Sequence, residues 1–395
     1  MERVVASALG RRASVGKGQG MQQRKAWGVW VIAFAMIVGV ILSVLVLTPR
    51  EKRLLAGAKR IGSEDFWSAS GDSSFTYFWL TERTVLVQNN ESDPTTEAGV
   101  TTKFYRYDLD THKADRLAPL SAQFLATSGE GYDMHISPDG AWILWSAGEG
   151  GVMLCRLDGT HKIHYRDKGL DGALLCWLGD SLHWTAIFTQ KGGGSYDRAL
   201  VYEVNSAKPV RSLNISPETP QEGGCFGNLD TGAGSDHILG DTACWTGVTR
   251  TDEIVELGLG ATIAPTQRHT IQLPPNSEIE SVLYSPRGDR VAWLLQTDYT
   301  MPLQAFLHRV YPRYKAPTRS VASVWVCRVD GTQMHEVGHI DLVGSDGTAP
   351  LAVASKAGPA NMSISSPDDL DLHWMPDDRH LSFTLQGAVW SIATD

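Results

Sequence analysis

The chain has 395 residues, 42% of them apolar, with 39 Gly and 13 Trp. That is enough to bury one large β domain or two smaller ones, and the Gly and Trp content suits short strands joined by tight turns and packed through aromatics. The net charge of −9 hides a split: residues 1–60 hold 11 Lys/Arg against 2 Asp/Glu, leaving 24 against 42 in residues 61–395, a net −18. So acidic a body repels phosphate backbones, which excludes a general nucleic-acid role.

Residues 1–26 form a basic tail. Its string Arg11-Arg12-Ala13-Ser14-Val15 resembles a basophilic kinase site but reads as part of that tail. From Trp27 to Leu47 the chain runs 21 residues without a charge, long enough to cross a bilayer as a helix, so residues 27–48 are expected to be a single transmembrane helix. No small-residue cleavage site follows, since Thr48-Pro49-Arg50-Glu51-Lys52-Arg53 comes next, which favours an anchor over a cleaved signal. Basic residues flank both sides, so the charge rule nearly ties. A short tail followed by one anchor and a large C-terminal domain places that domain outside the cytoplasm, at a bacterial cell envelope.

After a linker at residues 49–73, one grammar recurs. His135-Ile136-Ser137-Pro138-Asp139-Gly140, followed by Ala141-Trp142-Ile143-Leu144-Trp145, joins a closing strand, a tight turn and an apolar strand. Pro presets φ at such a turn and Gly supplies the positive φ. This is the inner half of a propeller blade, and residues 74–395 are expected to form an all-β, six-bladed β-propeller. The anchors Trp79, Ile136, Trp177, Ile238, Tyr284 and Trp374 lie 57, 41, 61, 46 and 90 residues apart, so insertions are expected at 296–322 and 341–370. A seventh blade within 341–370 is the competing count. The last blade lacks a fourth strand, and residues 61–70, with Phe66 and Trp67, are expected to pair with Ala388–Ile392 to close the ring.

Ser-Pro-Asp-Gly turns before apolar strands, and strands ending in Asp-Gly-Thr, as in Cys155-Arg156-Leu157-Asp158-Gly159-Thr160 and Cys327-Arg328-Val329-Asp330-Gly331-Thr332, resemble the TolB-like, WD-type propeller repeat. The resemblance spans about residues 75–394, weakest in the fourth blade, and implies a fold shared by periplasmic TolB proteins and by propellers attached to peptidases and kinases. It transfers architecture rather than activity.

Two constellations are candidate sites. His135, His237 and His373 each precede an anchor, with Phe78, Cys176 and Leu283 in the same place elsewhere. On innermost strands, three imidazoles would face one axis and suit a divalent metal, an arrangement resembling propeller lyases. The alternative is that they pack between blades. The second candidate is residues 299–319. There Leu303, Phe306, Leu307 and Val310 have helical spacing, and Tyr299, Arg309, Tyr311, Arg313, Tyr314, Lys315 and Arg319 form a basic aromatic surface for a partner, an anionic ligand or lipid headgroups.

Asp139, Asp158 and Asp330 read as turn residues. The five Cys lack C-x-x-C spacing; Cys155 and Cys327 read as small buried residues of equivalent strands, and a Cys225–Cys244 bridge stays open for an extracytoplasmic domain. No hydrolase elbow, phosphate loop, zinc-protease or dinucleotide fingerprint occurs. The sequence therefore points to a non-enzymatic, membrane-anchored binding module or scaffold, without a cofactor and with a protein or small polar ligand as partner. The alternative is a propeller enzyme, a lyase or hydrolase acting on a carbohydrate or similar polar substrate through the inner histidines.

Overall fold

The computed structural model describes residues 53–61, 75–92, 100–127, 134–147, 151–166, 170, 173–189, 196–216, 226–231, 237–246, 249–275, 277–299, 307–313, 319–342, 363–385 and 388–395. The stretch 27–48, Phe66, Trp67, Tyr314, Lys315 and Cys225 lie outside them. Among the described residues no helix is long and apolar enough to cross a membrane. The chain divides into two compact units, Met1–Glu51 with Thr300–Thr318, and Lys52–Tyr299 with Arg319–Asp395. The first is described only over residues 307–313.

The second unit opens with a helical turn, α1 (Leu54–Gly57), and a short strand, β1 (Lys59–Ile61). Antiparallel four-strand meanders follow. The first is β2 (Phe75–Thr81), β3 (Thr84–Ser92), β4 (Val100–Asp108) and β5 (Lys113–Arg116). Helix α2 (Ala118–Thr127) leads to the second, β6 (Met134–Ile136), β7 (Trp142–Ala147), β8 (Gly151–Arg156) and β9 (Ile163–Tyr165). The third is β10 (Leu174–Trp177), β11 (His183–Thr189), β12 (Tyr196–Glu203) and β13 (Arg211–Ile215), and the fourth β14 (Phe226–Thr231), β15 (His237–Thr246), β16 (Thr249–Leu259) and β17 (Thr262–Ile271). The fifth comprises β18 (Ser277–Tyr284), β19 (Arg290–Tyr299), β20 (Arg319–Arg328) and β21 (His335–Leu342), extended by β22 (Ser363–Ile364). The chain ends in β23 (His373–Trp374), β24 (His380–Leu385) and β25 (Ala388–Ala393).

The fold is an all-β propeller. Where the sequence suggests six separate sheets, however, the described strands form five. The third and fourth meanders share one eight-stranded sheet, because β13 and β17 pair in parallel at Asn214↔Thr262 and Ile215↔Ile263. A pair of outer strands that meets at the rim shares its edge hydrogen bonds instead of leaving them to water.

Each meander is buried on both faces, which is why strands such as Trp142–Trp145 read as unbroken apolar runs rather than alternating ones. On β7, Trp142 and Leu144 pack toward the third meander while Ile143 and Trp145 pack toward the first. On β19, Val291, Trp293 and Leu295 face the fourth while Ala292 and Leu294 face the last. Further clusters join the third to the fourth meander and β25 to the first, so burial continues around the ring. Helix α2 lies in a region without a helical signal; Leu120 and Phe124, one turn apart, fill the gap against Phe104 and Trp145, with the two Phe rings edge to face at 5.2 Å. Cys155 and Cys327 are buried thiols in matching registers, opposite Ile143 and Val291, and burial raises them to about 12 and about 11.

Closure comes from a strand just upstream of the expected one. β1 adds to β25 through Lys59↔Ser391, Arg60↔Trp390 and Ile61↔Val389, so only Ile61 belongs to the segment 61–70.

The turns carry their own charge logic. Asp158 and Asp330 each accept from the hydroxyl and backbone N–H of the Thr two residues on, and Asp108 from the backbone N–H and hydroxyl of Thr111. Those hydrogen bonds hold all three carboxyls below the ordinary range. The folded state therefore binds fewer protons than the unfolded chain near the ordinary carboxylate pKa of about 4, and the stability these turns add is present above that pH and lost as pH falls through it. Thermal unfolding between pH 5 and pH 3 should show a falling midpoint, with a shallower fall in the Asp158→Ala/Asp330→Ala variant. Equal slopes in both proteins would reject the assignment.

Candidate functional site

The innermost strands β2, β6, β10, β18 and β23 converge on a cavity of about 330 Å3. Phe78, His135, Cys176, Leu283 and His373 all line it, as do Trp79, Ile136, Trp177, Tyr284 and Trp374. The residue before each anchor and the anchor itself thus both reach the cavity wall in these five meanders, and in the third they pack to opposite sides, Cys176 toward the fourth meander and Trp177 toward the second. In a β-strand consecutive residues point to opposite faces, and here the anchors turn into the joints between meanders. Trp177 Nε1 donates to the His135 carbonyl at 3.1 Å, and Trp374 Nε1 to the Leu283 carbonyl at 2.9 Å. Trp79 Nε1 donates to Ser382 Oγ at 2.7 Å. Each indole thus ties its own inner strand to the neighbouring meander.

The fourth meander corrects the proposed histidine trio. The inner strand there is β14, which lies beside β10 and β18; His237 instead begins β15, the second strand, paired with Gly258 of β16. His135, His237 and His373 therefore do not occupy equivalent strands. The sequence misled because Thr242–Trp245 continues the strand that begins at His237, where a turn was expected by alignment with the third meander. Among the described residues no three His, Cys, Asp or Glu side chains are grouped to hold a metal ion.

His373 sits in a polar network that spacing alone did not reveal. Its Nε2 lies 2.9 Å from Asp371 Oδ1, and its ring meets Tyr77 edge-on at 4.7 Å. Asp371 is itself left-handed, with φ 41°, at the end of the 3-10 turn Pro367–Leu370. Such a backbone is uncommon for a residue with a side chain. Tyr77 donates to Ser382 Oγ at 2.8 Å, and burial drives its phenol well above the ordinary range, offset in part by that bond. The only sequence signal was Asp371-Leu372-His373, an acid two residues before an inner-strand imidazole.

Turn histidines elsewhere follow another repeat. His183 Nδ1 lies 2.7 Å from Asp180 Oδ2, and His380 Nδ1 lies 2.6 Å from Asp377 Oδ2, at matching turns of the third and last meanders. Burial opposes ionisation of both carboxyls, yet their side-chain and backbone hydrogen bonds outweigh it and hold both below the usual range.

The basic aromatic candidates are divided between the two units. Tyr299 and Arg319 pair across the end of the β19–β20 hairpin, which is the far end of β19 from the cavity. In the other unit Leu307, Val310 and Tyr311 are 41%, 65% and 60% exposed, and Arg309 and Arg313 are exposed. The apolar spacing there produces a single described helical turn.

No family model matches the chain, and no curated protein matches it. Among solved structures it is similar to TolB from Acinetobacter baumannii, at 15% identity and TM-score 0.37, covering 66% of this chain and 53% of that one. The chain thus spans about half the length of that TolB. It is similar to the β-propeller domain of the trilobed protease from Pyrococcus furiosus, at 10% identity and TM-score 0.38, covering 80% and 79%. It is also similar to the Cps50 (Swd1) β-propeller domain from Myceliophteria thermophila, at 12% identity and TM-score 0.41, covering 82% and 98%.

Proposed function

We propose that the chain is a six-bladed propeller in which β14–β17 count as a blade of their own, tethered by residues 27–48 with the propeller outside the cytoplasm, and that it works as a binding module. The observation that carries this reading is the axial cavity. Phe78, Trp79, Trp177, Tyr284 and Trp374 stand on its inner strands, and among the described residues that line it there is no Asp, Glu, Lys or Arg. A preformed recess that combines apolar and aromatic side chains with polar groups is a usual place for a ligand. The exposed Leu307, Val310 and Tyr311, with Arg309 and Arg313, supply a second contact surface for a protein partner.

Photocrosslinkers placed at Cys176 and at Tyr311 in the full chain test this. One dominant adduct at either position supports the module, and none at both rejects it. Protease shaving of intact cells should digest the propeller; protection would reverse the membrane orientation.

A second reading, a propeller enzyme acting on a polar substrate, draws support from the Asp371–His373 pair, in which a carboxylate orients an imidazole as in proton-transfer sites. Metal analysis of the purified chain separates the metal-dependent form of this reading: stoichiometric metal lost on His135→Ala and His373→Ala supports it.

A further inference from the structure

Two joints between meanders are latched by the same contact, and the joint between the first and second meanders is not. The turns at 137–140, 178–181, 285–288 and 375–378 follow inner strands at matching positions. Where the fourth residue of a turn has a polar side chain, it accepts the backbone N–H of the third residue of the preceding turn. Ser181 Oγ accepts from Asp139 N at 2.9 Å, and Asp378 Oδ1 from Arg287 N at 2.9 Å. In the second meander the fourth residue is Gly140, with φ 68° and no side chain to reach the first meander, and a Cβ there would meet the Leu80 carbonyl oxygen at 2.7 Å.

Beside that contact lies a cleft of about 420 Å3 between the first and second meanders, separate from the axial cavity. Arg106, Arg156, Asp139 and Asp158 line it. The Arg156 guanidinium rests 5.3 Å over the Trp142 ring, and its side chain makes no hydrogen bond or ion pair among the described residues. Arg106 has only Asp115 at 3.8 Å, an exposed pair of little worth. Asp139 and Asp158 each commit Oδ1 to their own turns, to Ser137 and Ala141 N and to Thr160 respectively, which leaves each Oδ2 without a partner among the described residues. The apolar wall comes from Leu80, Leu117 and Leu157, which stand on three different segments of the two meanders.

Two guanidiniums and two carboxylates leave the cleft neutral on an otherwise acidic body. A dianion would face both carboxylates and a simple cation both guanidiniums, so complementarity favours a ligand that carries one charge of each sign. A guanidinium matches a carboxylate as a planar fork, and leucines on both walls offer contacts to more than one aliphatic side chain. We infer that this cleft takes a short apolar peptide with both ends free, its carboxylate at the arginines, its ammonium at the aspartates and its side chains against the leucines. The volume lies within the usual range of about 300–1,000 Å3 for a small-ligand site.

The probes are the dipeptide Leu-Leu, its C-terminal amide, its N-acetyl form and inorganic phosphate. Isothermal titration of the full chain in detergent should show Leu-Leu binding about tenfold tighter than either blocked form, the effect of one charge-assisted hydrogen bond at a site open to water. Arg156→Met should bring Leu-Leu down to the level of its amide and leave the amide unchanged. Asp139→Asn/Asp158→Asn, in which each Oδ1 still serves its turn, should erase the preference over the N-acetyl form. Unfolding midpoints confirm that the variants fold. Equal affinity for Leu-Leu and both blocked forms, binding of none of them, or phosphate binding more tightly than Leu-Leu overturns the inference. Neither result bears on adducts at Cys176 or Tyr311, so this inference and the binding module at the axial cavity fail separately.

Discussion

Leu54→Ala should destabilise the propeller by about 3 kcal/mol, within the usual cost of about 2–5 kcal/mol for emptying a fully buried Leu site, and in a domain of this size lower the unfolding midpoint by about 4 °C. Leu54 is 0% exposed and packs with Leu55 against Ile340 of β21 in the fifth meander and Ile392 of β25 in the last sheet. Around it the chain makes a strap. Arg53 forms a parallel bridge to His339 and an ion pair with Asp341 at 2.7 Å, and β1 then adds to the edge of β25.

The strap demands a glycine beneath it. A Cβ on Gly338 would meet Leu54 Cα at 2.7 Å and Leu54 N at 2.9 Å, so Gly338→Ala should force the strap outward at a similar cost. The two losses should not add, since both remove one contact surface. Denaturant titration of the single and double variants decides it: a double variant as unstable as the sum of the singles would mean that the strap and β21 are independent.

That strap shows where the sequence stops being legible. The turns and inner strands are readable because Ser-Pro-Asp-Gly imposes a local backbone that no distant contact has to confirm, and five residues at one offset from the anchors line the same cavity. Residues 53–61 carry no such grammar: Leu54-Leu55-Ala56-Gly57 is ambiguous alone, and its place is set by the groove that Gly338 opens some 280 residues later. The fourth meander failed for a related reason. Between Phe226 and Thr246 no Pro-Asp-Gly turn marks a strand end, so a single ten-residue strand was divided in two and His237 was moved to the axis. The Asp371–His373 pair leaves only the trace Asp371-Leu372-His373 in the sequence, because its geometry depends on a left-handed φ and on a tyrosine from the first meander.

The second large effect is expected at Arg290, which clamps the end of the chain. From the start of β19 its guanidinium donates to the Asp378 carbonyl at 3.1 Å, to Thr394 Oγ1 at 2.8 Å and to the Thr394 carbonyl at 3.3 Å, and it lies 5.7 Å over the Trp374 ring. His335 Nε2 reaches the same Thr394 carbonyl at 2.7 Å. These contacts bind the last sheet to the fifth meander, as the strap does from the opposite end of the chain. Arg290→Ala should cost about 2–4 kcal/mol, from hydrogen bonds to a charged donor at about 1.5–3 kcal/mol and a cation–π contact of about 0.5–1 kcal/mol. Arg290→Lys should recover only part of this, because an ammonium cannot span three acceptors as a planar fork does. Asp395→Ala should be nearly silent, since that carboxylate is 77% exposed and 3.4 Å from the guanidinium. Urea unfolding of the three variants gives the ranking, and an Asp395→Ala loss as large as that of Arg290→Ala would show that the surface ion pair, not the half-buried fork, holds the last sheet in place.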